Sequence, residues 1–183
     1  MPAKERKLNI SLVPAPLWNF NLREFLSQHH WRKLRLAYMA EHGEHCQTCG
    51  APPGPKPQRA HHGHEVWEYD TSRTPAVARL TGLSVACWHC HMAEHWGALE
   101  TIAASAGLKR AVPDTIAHYC RVNDVSRTTF ARDKKRAFAE WRERSRLKWD
   151  VDWGPYAERL LEDYIELPHL GWYEGLSRDV RYA

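Results

Sequence analysis

Apolar residues recur at helical spacing over Leu22, Phe25, Leu26, Leu34, Tyr38 and Met39, with Trp31 adding bulk. That pattern predicts a helix from about Leu22 to His42, capped by Asn19 or Asn21 and stopped by Gly43. The period then shortens. His64-Glu65-Val66-Trp67-Glu68-Tyr69 alternates and carries β-favouring residues, which predicts a strand. A second strand is expected over Ala76 to Leu80, then a bend at Thr81-Gly82, with Leu83 to Ala86 leading onward. Helical spacing returns from His91 to Ala104, ended by Gly107, and again from Pro113 through Ile116, Ala117 and Cys120. A longer helix is predicted from about Ser126 to Trp149. Phe130, Phe138, Trp141 and Trp149 form one stripe on it, read as core packing rather than as a base-stacking surface. A short helix over Tyr156 to Tyr164 and an aromatic tail from Pro168 complete the pattern.

Two stretches follow neither period. Residues 1–18 are punctuated by Pro2, Pro14 and Pro16 and are expected to be extended. Pro52, Pro53, Pro55 and Pro57 make the segment after Gly50 a loop, because proline removes the donors a hydrogen-bond ladder needs. The element order therefore predicts an α+β chain, mostly helical, around a small strand-strand-helix unit. We divide it into an extended arm over 1–21, a central domain with its leading helix over 22–107, and a helical extension over 108–183.

The chain has 183 residues, enough for one domain with its own core. No apolar run approaches the roughly 18 residues of a membrane span. The basic residues of Met1-Pro-Ala-Lys-Glu-Arg-Lys have no apolar stretch behind them, so no signal peptide is expected. Reduced cysteines in the cytoplasm are the matching expectation. The net charge of +4 says little, but its distribution says more. Arg121 to Lys148 holds ten Arg/Lys against four Asp/Glu, whereas Trp149 to Ala183 holds three Arg against eight Asp/Glu. The basic element is either a solvated helix face or a surface for phosphates, with Arg132, Lys135, Arg136 and Arg142 as candidate contacts.

The cysteines change the picture most. Cys46-x-x-Cys49 and Cys87-x-x-Cys90 are two pairs separated by 37 residues. Four thiolates in this pattern suit one structural zinc in a closed tetrahedron. Gly50 allows the positive φ that the first knuckle needs. Cys120 is left over and is read as a small buried hydrophobe. Behind Cys90, His91 and His95 stand four apart and share a helical face; His64 on the preceding strand can supply a third nitrogen. Such a set can hold a second divalent ion (Mg, Mn, Ni or Zn) and leave positions open for a phosphate oxygen and water. The competing reading makes His91 and His95 ordinary surface or capping histidines.

The run Cys46-x-x-Cys49 … His64-Glu65 … Leu80-Thr81-Gly82-Leu83-x-x-x-Cys87-x-x-Cys90-His91-x-x-x-His95 resembles the zinc-containing HNH endonucleases, of the ββα-metal or His-Me finger class. The resemblance covers roughly residues 30–100. It implies a nuclease acting on nucleic acid, DNA being expected, with His64, His91 and His95 as metal ligands and part of the catalytic set. Glu65 stands where the family has its catalytic histidine, and Gly82 where it has the asparagine that orients that histidine. A carboxylate needs no tautomer fixed, so Glu65 is a candidate base without an orienter. His61 or His62 is a second candidate. The third reading has no base at all: an inactive zinc module that binds nucleic acid or a protein partner, the nine tryptophans offering an aromatic surface for a partner or a second copy.

Overall fold

The structure is a computed structural model that describes residues 6–54, 61–158 and 160. The fold is α+β, with helices α1 (Leu22–Phe25), α2 (Gln28–His42), α3 (Trp88–Glu94), α4 (Trp96–Ser105), α5 (Ala111–Asn123) and α6 (Arg127–Arg144). Strands β1 (His62–Asp70), β2 (Ala76–Ala86) and β3 (Trp149–Asp152) form one sheet in the order β1-β2-β3, with β3 parallel to β2. No helix among the described residues is long and apolar enough to cross a membrane.

Several elements end where their local chemistry dictates. The Asn21 side chain accepts from the Glu24 N–H and caps α1. Helix α1 stops after one turn. Ser27 starts α2 afresh by accepting from the His30 N–H, so the single helix expected from Leu22 is two. Gly43 closes α2 with φ 84°. Strand β2 runs unbroken through Thr81-Gly82, and the expected bend is absent. Gly82 has no positive φ, and the Thr81 hydroxyl donates to the Val66 carbonyl. The helix expected from His91 begins at Trp88 and breaks at His95, whose ψ of 52° separates α3 from α4.

The largest departure is at Trp149. It does not continue the stripe of α6 but opens β3, with Ala76 opposite Trp149 in register. Its indole N–H donates to the Arg144 carbonyl, which also accepts from the Leu147 N–H. These bonds satisfy the end of α6, and the alternating Trp149-Asp-Val-Asp segment joins the sheet instead. The predicted Tyr156–Tyr164 helix lies largely outside the described residues, as does the tail from Pro168; Gly154–Tyr156 form a short 3-10 turn.

The chain divides into two units made of alternating segments rather than into consecutive domains. One takes the described residues of Met1–Pro14, Glu44–His64 and Val85–Glu143; the other those of Ala15–Gly43, Glu65–Ser84 and the chain from Arg144. Each has its own core. The first centres on Leu8, Met92, Trp96, Leu99, Tyr119 and Phe130 together with Cys46, Cys87 and Cys90. The second centres on Leu22, Leu26, Trp31, Leu80, Leu83 and Trp153. Helices α5 and α6 thus share a core with the cysteines instead of forming a separate extension.

The N-terminal segment is also built into the first unit. Leu8 is completely buried, and its backbone N–H and carbonyl are both held by the Asn123 side-chain amide, at 3.0 and 2.9 Å. Arg6 pairs with the buried Asp133 at 2.8 Å, and Asp133 also accepts from the Tyr119 hydroxyl. An extended segment cannot satisfy its own backbone groups; here Asn123 of α5 does so at Leu8, and the Trp141 indole of α6 donates to the Val13 carbonyl.

Candidate metal centres

The first knuckle is a tight turn: the Gly50 N–H donates to the Cys46 carbonyl at 2.7 Å, with Gly50 at φ 74°. The second opens α3, where the Cys87 sulfur accepts from the Cys90 N–H as an N-cap. Gln47 ties the two together. Its N–H donates to the Val85 carbonyl, and its side-chain oxygen accepts from the Val85 N–H.

All four sulfurs, of Cys46, Cys49, Cys87 and Cys90, lie within 4.8 Å of one another. Cys49 and Cys87 Sγ are 3.7 Å apart. Two sulfurs bound tetrahedrally at Zn–S of about 2.3 Å would be about 3.8 Å apart, so the cluster is compatible with a structural zinc. Its electrostatics agree. Hydrogen bonds from Cys87 and then Cys90 hold the Cys46 thiol far below its usual range, while bonding to Cys46 pushes Cys87 up to about 12 and raises Cys90 as well. Sulfurs this close cannot all ionise against one another, and a dication at their centre removes that repulsion.

A histidine not singled out by the sequence completes this site. His118 on α5 is buried, with Nε2 3.1 Å from Cys90 Sγ. Arg121 donates to its Nδ1 at 2.9 Å. Since guanidinium only donates, Nδ1 is the acceptor and the ring proton sits on Nε2, facing the sulfur. Burial, then the charges of His89 and Arg121, push His118 down to about 4, which keeps the ring neutral. An N–H aimed at a thiolate is the kind of outer support that stabilises a zinc–sulfur centre. Cys120, next to Arg121 on the same helix, is half-buried against the core, and burial pushes its thiol up.

The predicted histidines also converge. His64, His91 and His95 each offer a ring nitrogen, all within 4.8 Å of one another. His64 Nδ1 and His95 Nε2 are 3.2 Å apart. Two nitrogens on one tetrahedral ion at about 2.05 Å would be about 3.3 Å apart. All three residues are half-buried. No fourth His, Cys, Asp or Glu among the described residues joins it. Strand alternation adds a neighbour: His62 shares the His64 face of β1 and stacks on His91, with ring centroids 4.9 Å apart and planes 25° off parallel.

Glu65 requires a correction. Alternation turns it to the opposite face of β1 from His64. There one carboxylate oxygen accepts from the Leu22 N–H at 2.8 Å and the other from the Trp67 indole at 2.9 Å. Both oxygens serve as structural acceptors, so the role of catalytic base does not follow from this placement. His61 is likewise structural: it is buried, and its Nε2–H donates to the Ala51 carbonyl at 2.8 Å. The proposed phosphate contacts Arg132, Lys135, Arg136 and Arg142 are all exposed on α6, where Arg136 is near Asp133 and Glu140. Helix α6 packs against the start of α4, just after His95: Phe130 meets Trp96 at 4.9 Å between centroids, and Lys134 lies over the Trp96 ring.

No protein-family model, curated protein or solved structure matches this chain.

Proposed function

We propose that this protein is a metal-dependent endonuclease that hydrolyses nucleic-acid phosphodiester bonds, with DNA as the expected substrate. The observation that carries the reading is the convergence of His64, His91 and His95, whose ring nitrogens lie within 4.8 Å of one another. Three imidazole nitrogens with no fourth protein ligand among the described residues suit a working divalent ion better than a sealed structural one. A divalent ion held there would polarise the scissile phosphate and stabilise the leaving oxygen. The chain's own residues divide the remaining work. His64, His91 and His95 would hold and orient the ion. His62, on the His64 face of β1 and stacked on His91, takes the proton of the attacking water in place of Glu65. Arg132, Lys135, Arg136 and Arg142 bind flanking phosphates through exposed cationic groups. A zinc on Cys46, Cys49, Cys87 and Cys90 would hold α3, and with it His91, in position.

A second reading has a specific observation behind it. Glu65 is engaged in structural hydrogen bonds, and Gly82 lies within an unbroken strand. An inactive scaffold that binds nucleic acid or a protein partner would keep everything else. The deciding experiment incubates purified protein with duplex and single-stranded DNA and with RNA, in Mg, Mn, Ni or Zn. Metal-dependent cleavage that is lost in His91→Ala supports the nuclease. Equal cleavage by wild type and His91→Ala sinks the metal assignment, and salt-sensitive binding without cleavage in any metal favours the inactive scaffold.

A further inference from the structure

Glu94, the last residue of α3, stands between the site histidines His91 and His95. We propose that Glu94 is a positioning residue for the histidine site, holding His64 in the tautomer that presents Nδ1 to a metal ion. The inference rests on the reading of His64, His91 and His95 as a metal site.

His64 uses its two ring nitrogens in opposite directions. Nδ1 faces His95 Nε2 at 3.2 Å, whereas Nε2 lies 2.9 Å from Glu94 Oε2. The second contact is at hydrogen-bond distance without ideal alignment, and Oε2 is completely buried with no other described group donating to it. A buried carboxylate oxygen with no donor is costly, and the His64 ring nitrogen lies 2.9 Å from it. A carboxylate accepts and a neutral imidazole carries one proton. The proton therefore sits on Nε2 and the lone pair on Nδ1, the nitrogen among the ligand group. Carboxylates that accept from the outer nitrogen of a ligand histidine fix its ring orientation and raise its basicity at metal sites.

The backbone supports the placement. Helix α3 ends at Glu94, leaving its carbonyl without a partner in the helix. The Ser11 N–H donates to that carbonyl at 3.1 Å, and the same N-terminal segment is fastened by Leu8 to Asn123. The arm thereby holds the turn that presents both Glu94 and His95.

The test measures binding of a second zinc to full-length protein whose cysteine site is already filled, by competition with a chromophoric chelator. Glu94→Ala and the bulkier Glu94→Leu are expected to weaken that second ion about 10–100-fold, and Glu94→Gln, whose amide oxygen still accepts from Nε2–H, to recover most of the loss. The sulfur-to-cobalt charge-transfer band of the cobalt-substituted cysteine site is expected unchanged in all three, which reports that the fold survives. Nitrogen-15 spectra of the metal-free histidine site are expected to show the Nε2–H tautomer at His64 in wild type and in Glu94→Gln, and a mixed population in Glu94→Leu. Wild-type affinity in both Glu94→Ala and Glu94→Leu overturns the role of Glu94 alone. A wild-type chain that takes up only the cysteine-site zinc overturns the histidine site, and the role of Glu94 with it.

Discussion

Glu65 and Leu22 are 43 positions apart, yet the Glu65 carboxylate accepts the first backbone N–H of α1 at 2.8 Å. A negative group at a helix N-terminus satisfies an orphan donor and meets the positive end of the peptide dipoles. Its other oxygen holds the Trp67 indole. Glu65→Ala is therefore expected to destabilise the protein by about 2 kcal/mol, since it removes a charged acceptor from two donors. Glu65→Gln should lie between, because its amide can accept only one of them. Denaturant unfolding gives the energies, and metal analysis of the same samples should show unchanged metal content. Loss of metal without loss of stability would contradict the structural role.

The link between Leu8 and Asn123 gives a second test. Asn123→Ala leaves the buried Leu8 N–H and carbonyl without partners, an expected cost of about 2–3 kcal/mol. Limited proteolysis should then cut the N-terminal segment earlier than in wild type. Unchanged protection would mean that Leu8 and Arg6 suffice to hold it.

Removing the cysteine-site metal should loosen the first unit, because its core includes Cys46, Cys87 and Cys90. Cys90→Ser is expected to lower zinc content by one ion per chain and to cost at least about 3 kcal/mol of stability. His118→Ala keeps all four sulfurs and loses the N–H aimed at Cys90, so its zinc should be about tenfold easier for a chelator to extract. Extraction at the wild-type rate would reduce His118 to a packing residue.

Two glycines separate backbone strain from the resemblance. Gly154 adopts φ 52°, and a Cβ there would clash with the Leu80 carbonyl oxygen. Gly154→Ala should cost about 2 kcal/mol or more, read as a fall in melting temperature. Gly82 has no positive φ and nothing within 4 Å of where its Cβ would lie. Gly82→Ala should be neutral or slightly stabilising, by at most about 1 kcal/mol. A large loss there would point to a function for that position beyond its backbone.

Local spacing carried the site histidines and cysteines well. The two Cys-x-x-Cys turns, the four-residue step from His91 to His95 and the strand holding His64 all depend on neighbours in sequence, and all four sulfurs and all three imidazoles come together. The caps at Asn21 and Gly43 were legible for the same reason. The break at Ser27 and the early start of α3 on Cys87 also had local signals, serine and cysteine as N-caps, that the apolar pattern overrode.

By itself, then, the sequence determined an α+β chain, two thiol knuckles and a histidine face, because periods of 3.6 and 2 residues fix which side chains share a side. Tertiary structure alone decided what each polar group faces. It gave Glu65 to Leu22, Glu94 to His64, His118 to Cys90, Asn123 to Leu8 and Trp149 to the sheet. The physical reason is that a buried donor or acceptor takes whichever partner the packed chain brings near. Hydrophobic spacing specifies that one face is buried, but not which distant segment covers it.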